Sequence, residues 1–195
     1  MSACLIDYDT GHTELRPPSD AATNMGATVV HLRDTGLSWG TIEQSAILPA
    51  PASIPLRWRA GALLAVLVTA VTWAIGPHRG RFSRLVRLAR AGRDLPAATA
   101  YQARYAVCAV RWAARTMPVR WACLEDSTAA AVLLTMARRR AEWRHGIATD
   151  PVRLHAWIAD PEGEPVEEPA DTALYTPTYT PDGPGPPRAE RGVRP

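Results

Sequence analysis

Cys123 is the residue best placed to do covalent chemistry. It stands in Trp121-Ala122-Cys123-Leu124-Glu125-Asp126-Ser127, which runs on through Ala129-Ala130-Ala131-Val132-Leu133-Leu134. Apolar Leu124, Ala131 and Leu134 recur at helical spacing, so the pattern predicts a helix that opens on the cysteine. A thiol there lies at the positive end of the helix dipole, where the thiolate is favoured. Further on, Leu154-His155-Ala156-Trp157-Ile158 reads as a short strand carrying a histidine. A helix-borne cysteine with a distant histidine is the sequence form of a nucleophile and its general base. A third group must orient the base. Asp160, Glu167 and Glu168 follow the histidine strand, and alternation alone does not choose among them.

The rivals are few. Cys4 lies near the N-terminus, and Cys108 falls on an apolar helical stripe with Tyr101, Tyr105 and Trp112, where a cysteine packs as a small hydrophobe. His145 competes with His155, but its alternation with Trp143 and Ile147 suits a strand partner. Three cysteines without a Cys-x-x-Cys pair make neither a disulfide framework nor a zinc site, so no metal and no cofactor are expected. The first ten residues lack a basic-then-apolar signal pattern, which predicts a reducing, cytoplasmic setting.

The elements that must position these residues can be read along the chain. Its 195 residues, 47% hydrophobic, allow one ordinary domain and an appendage. All 22 basic residues are arginine, and the net charge of +3 is too small to imply nucleic acid. The run Arg79, Arg81, Arg84, Arg87, Arg90 and Arg93 has only Phe82 interleaved for stacking, and reads as a solvated helix face. Residues 1–48 form a small separate unit: a hairpin about Asp9-Thr10-Gly11, a helix from Ser19 or Asp20 to about Arg33, and a further helical turn within 37–44. Residues 49–57, with Pro49, Pro51 and Pro55, form a linker. The domain proper spans 58–175. Gly61 to Ile75 is almost wholly apolar, yet shorter than the roughly 20 residues a membrane span needs, and so predicts a buried core helix. Helices over 81–91 and 97–116 follow, then the Cys123 helix. Strands follow at Trp143–Ile147 and 154–159, with a third predicted over 164–168. Residues 176–195, rich in proline and glycine, predict a disordered tail.

From about Tyr101 to Tyr175 the chain resembles the lasso-peptide leader peptidases, the transglutaminase-like cysteine proteases of lasso-peptide biosynthesis. The resemblance is carried by Ala103-Arg104-Tyr105-Ala106-Val107 and Cys123-Leu124-Glu125-Asp126-Ser127. It continues through Trp143-Arg144-His145-Gly146-Ile147, Leu154-His155-Ala156-Trp157, and Gly163-Glu164-Pro165-Val166-Glu167-Glu168-Pro169, in that order. It implies an α+β fold with a papain/transglutaminase-like core and a catalytic Cys123, His155 and acid. It also implies cleavage of a leader from a ribosomally made precursor peptide, ahead of ring closure by an asparagine-synthetase-like cyclase. Glu168-Pro169 matches the family's acidic position best. One residue more than expected separates it from the histidine, which leaves Glu167 and Asp160 open. Residues 1–48 loosely resemble the opening of the PqqD-like fold that binds leader peptides; a plain N-terminal embellishment is the alternative. The chain departs from the family at Asp126, where arginine or another non-acidic residue is usual, and a carboxylate near the nucleophile raises a thiol's pKa. Two other functions are compatible with the same residues: a transglutaminase-like acyl transferase, and a non-catalytic leader-binding or scaffold protein.

Overall fold

The structure, a computed structural model, describes residues 3–17, 28, 53–117, 121–149 and 152–187. β1 (Ala3–Ile6) and β2 (Thr13–Arg16) form the antiparallel hairpin expected from the turn residues. The Asp7 carboxylate ties its loop by accepting from the Asp9 N–H at 2.8 Å and the Thr10 hydroxyl at 2.6 Å. The helices expected between residues 19 and 44 lie outside the described residues, as do Pro49 and Pro51 of the linker.

The hairpin is not detached from the domain. Tyr8 projects into the domain, its ring 4.2 Å from that of Tyr179 and 5.6 Å from that of Phe82. Its hydroxyl meets His145 Nδ1 at 2.8 Å and Thr178 Oγ1 at 2.6 Å. A sequence pattern cannot show contacts between residues so far apart along the chain. His145 is 4% exposed, and burial, then the nearby His155 charge, push its imidazole down to about 4. An unfolded histidine takes up its proton near 6.5, so this neutral side chain stabilises the fold above that pH. The stabilisation, on the order of 3 kcal/mol, is lost as pH falls from about 6.5 towards 4. Thermal melts across that range should show a stability loss that a His145→Gln variant lacks.

Among the described residues four α-helices follow: α1 (Leu56–Ala74), α2 (Arg81–Ala89), α3 (Ala100–Ala114) and α4 (Cys123–Met136). α3 begins with a capping box, in which Thr99 Oγ1 accepts from Gln102 N and Gln102 Oε1 accepts from Thr99 N. α4 is the centre of the domain: α1, α2 and α3 contact one side of it, β3 and β4 the other. Ser127 to Leu134 are therefore buried without a break, more than the single inward face the spacing predicts. Small residues set the close approach of these helices, among them Ala62 and Ala65 on α1, and Ala103, Ala106 and Ala113 on α3. A Cβ on Gly61 would come within 2.8 Å of Leu133 Cδ1.

Two helix faces differ from the sequence reading. α3 buries Ala103, Ala106, Val107, Val110 and Ala113, whereas Tyr101 is 74% exposed and Cys108 is only half-buried. The small side chains face α1 and α4 because bulky aromatics would hold the helices apart. α1 is longer than expected, and its 19 residues are long and apolar enough to cross a membrane by length and composition alone. It buries Trp58, Ala62, Ala65, Val66 and Thr69 against the other helices, while Leu63, Leu64, Leu67 and Val71 stay exposed.

The sheet follows. β3 (Glu142–Thr149) and β4 (Val152–Ala159) pair antiparallel, with Gly146 opposite His155. The other edge of β3 takes β5 (Thr176–Thr180), which pairs with β6 (Gly183–Pro184), giving the order β4-β3-β5-β6. This corrects two expectations. Residues 164–168 make no strand: Ala159 and Pro165 form a single bridge, Val166 N donates to Ile158 O, and Glu167 adopts a φ of 54°. Pro165 and Pro169 lack the N–H a ladder needs. Nor do residues 176–184 belong to a loose tail. Arg90 donates to Pro181 O at 2.8 Å and to Tyr179 Oη at 2.7 Å, and Arg140 pairs with Asp182 at 3.1 Å. These tertiary anchors outweigh the local proline and glycine signal. Helices followed by an antiparallel sheet make the fold α+β, as the sequence predicts.

Candidate active site

Cys123 is the first residue of α4, so the amides of its first turn have no intrahelical acceptor. Two side-chain contacts set the rest of this helix end. Glu125 Oε2 accepts from Ala122 N at 3.3 Å, and one turn on, Ser127 Oγ accepts from the indole of buried Trp143 at 3.0 Å. The second bond fastens α4 to β3, and with it the position of Cys123 relative to the sheet.

His155 comes from β4. Its Nε2 lies 3.0 Å from Glu168 Oε2, and a further hydrogen bond joins its ring to Cys123. Because Glu168 takes Nε2, Nδ1 is the nitrogen left to face the thiol. The ring is stacked at 12° on Trp157, with Tyr175 tilted at 5.3 Å. Trp157 needs the space above Gly146, where a Cβ would come within 2.8 Å of the indole and 2.7 Å of Thr176 O. Glu168 reaches His155 because the segment after β4 doubles back along its end through the Ala159–Pro165 bridge.

The three candidate acids are thereby separated. Glu168 lies against His155. Glu167 points the other way, to Arg104 Nε at 2.6 Å. Asp160 caps its own turn, accepting from Glu164 N at 2.8 Å. His145 lies against Tyr8 and not against a cysteine. Burial pushes the Cys4 thiol up, and burial and then the Glu167 charge push up Cys108.

Cys123 behaves oppositely. Burial raises its pKa, but hydrogen bonds from His155 and from the Ala156 N–H, with the imidazole charge, outweigh burial and the Glu125 carboxylate, so the thiol lies below its ordinary value. Burial alone would lower His155, yet its bonds to Cys123 and Glu168, and their charges, push it up to about 9. Both shifts run in the direction that favours a thiolate beside an imidazolium.

Sequence reasoning missed Arg111. It projects from α3 into the pocket lined by Cys123, His155, Glu168, Asp126 and Ile158. Its Nε donates to Asp126 Oδ2 at 3.0 Å and its Nη2 to Glu168 Oε1 at 2.6 Å, while Nη1 donates to the Glu167 carbonyl. Asp126 therefore points inward, but its charge is met by a guanidinium. Burial raises the Asp126 carboxyl, and Arg111 offsets this in part. The one available sequence signal was an arginine on an otherwise Ala- and Val-rich helix face.

A family profile described as the transglutaminase-like superfamily matches residues 63–180, from α1 through β5. No curated protein and no solved structure matches the chain.

Proposed function

Because the chain belongs to the transglutaminase-like superfamily, a fold of cysteine proteases and acyltransferases, we propose that it is a cysteine peptidase that removes the leader of a lasso-peptide precursor. The observation that carries the peptidase reading is the run of contacts from Cys123 through His155 to Glu168. The leader-peptidase assignment rests on the ordered motifs about Cys123, His155 and Glu168-Pro169.

In this reading the Cys123 thiolate attacks the carbonyl carbon at the leader–core junction, and first-turn amides of α4 donate to the developing oxyanion. His155, as imidazolium, gives its proton to the departing amine, so the core peptide leaves with a free N-terminus. The leader remains as a thioester on Cys123. Neutral His155 then takes a proton from water, hydroxide adds to the thioester, and the leader leaves with a carboxylate as the thiolate reforms. Glu168 holds the Nε2 proton throughout and stabilises the imidazolium. A cyclase can close the freed amine onto an acidic side chain, and the N-terminal hairpin unit or a separate PqqD-like protein would present the leader.

The test is to incubate the precursor, with its recognition and cyclase partners, and weigh the products. A leader gaining water and a core with a free amine support the peptidase. A new isopeptide supports the acyl transferase, and no covalent change supports the scaffold. Activity should also depend on pH in a set way. kcat/KM should rise as the thiolate forms below the ordinary thiol pKa, stay level, and fall near pH 9 as His155 loses its proton. A profile tracking an ordinary histidine, with its limb near pH 6.5, would show that the ion pair does not form.

A further inference from the structure

We propose that Arg111 is the positioning residue that sets Glu168, and through Glu168 the ring of His155. Its consequence for turnover rests on the peptidase reading, but its structural content does not. Arg111 is anchored on α3, outside both the nucleophile helix and the histidine strand, and its fork spans three acceptors. Asp126 takes Nε and so fixes the plane of the guanidinium. The two terminal nitrogens are then aimed at one short turn, at the Glu167 carbonyl and the Glu168 carboxylate. That turn needs holding: Glu167 has a left-handed φ of 54°, which a residue with a side chain adopts at a cost, and Pro169 follows directly.

Glu168 has two oxygens, and they are divided. Oε1 meets Arg111 at 2.6 Å and Oε2 meets His155 at 3.0 Å. With Oε1 held, rotation of the carboxylate is blocked and Oε2 stays in line with Nε2. A lysine could neutralise a charge here but could not hold three acceptors in one plane. Asp126 thus has a place beside a nucleophile that its charge alone would not favour: it orients the guanidinium, which in turn orients the acid.

The test reads the His155 ring itself, needing no substrate. In full-length protein with ¹³C-labelled histidine, the His155 Cε1–H signal, assigned by its loss in His155→Ala, is followed against pH. Wild type should titrate at about 9. Arg111→Gln should lower that midpoint by about one pH unit or more, because Glu168 leaves Nε2. Arg111→Lys should fall between. The sign decides. If Glu168 stayed in place without Arg111, loss of a nearby positive charge would raise the midpoint, so a rise overturns the proposal, as does no change. Should Arg111→Gln fail to fold with Asp126 left unpaired, Arg111→Gln/Asp126→Asn removes both charges and must still show the fall. Asp126→Asn keeps a side-chain oxygen to accept from Arg111 Nε, so Arg111 stays on Glu168 and the midpoint should remain within about half a unit of wild type. With substrate, Arg111→Gln should lower kcat about tenfold or more with KM within about twofold. If wild type cleaves no peptide but the titration shifts as stated, the peptidase reading fails and the positioning role stands.

Discussion

Cys123→Ala should abolish processing of the precursor, lowering kcat/KM by about 10⁴-fold or more, because among the described residues no other nucleophile lies against His155. The fold should survive, since the residue lost is small and opens a helix whose burial begins at Ser127. The substitution also removes a hydrogen bond and a charge that hold up the His155 pKa, so that imidazole should titrate well below about 9 in the variant. Cys123→Ser is the stricter control. It keeps size and polarity, but a hydroxyl stays protonated where the thiol ionises, and it too should be almost inert. Cys108→Ala and Cys4→Ala should retain processing, because burial holds both thiols above the ordinary range.

Glu168→Ala carries the second large effect. It removes the acceptor of His155 Nε2 and leaves the Arg111 guanidinium on Asp126 and the Glu167 carbonyl. kcat should fall about 10²- to 10³-fold with little change in KM, because the acid stabilises an imidazolium and does not touch substrate. The alkaline limb should move down from about pH 9 towards the ordinary imidazole value, since both the hydrogen bond and the charge of Glu168 raise His155. Glu168→Gln should recover part of the ring's orientation but not the charge, and so fall between. Glu167→Ala and Asp160→Ala are the comparisons. The first breaks a pair with half-exposed Arg104, the second a turn cap, and each should cost only a few fold. An equal loss in either would mean that the acid has been misassigned.

Much of this site was legible in the sequence because its parts are local. A helix beginning at Cys123, with a buried Ala- and Leu-rich run behind it, and a strand carrying His155 before Trp157 are patterns a few residues long. The choice among Asp160, Glu167 and Glu168 was not legible. It depends on how the chain turns after β4, and a left-handed residue between two prolines defeats an alternation argument. Arg111 was invisible for a related reason: its three acceptors come from two other elements, far along the chain. The same physics explains β5 and β6. Proline and glycine there suggest disorder locally, while Arg90, Arg140 and the free edge of β3 supply the partners that order the segment. The rotation of α3 is a matter of packing volume. The aromatic stripe reads as the inner face by hydrophobicity, but the space between α1 and α4 admits only alanine and valine.

The most direct test is to catch the acyl-enzyme. Precursor mixed with wild-type protein, quenched in acid within the first turnovers and weighed intact, should show the protein heavier by the mass of the free leader less one water. Proteolytic mapping should place that thioester on Cys123, and it should be missing from Cys123→Ala. Cleavage that proceeds with Cys123 unmodified, or that leaves the adduct on Cys108 or Cys4, would contradict the assignment of Cys123 as the nucleophile.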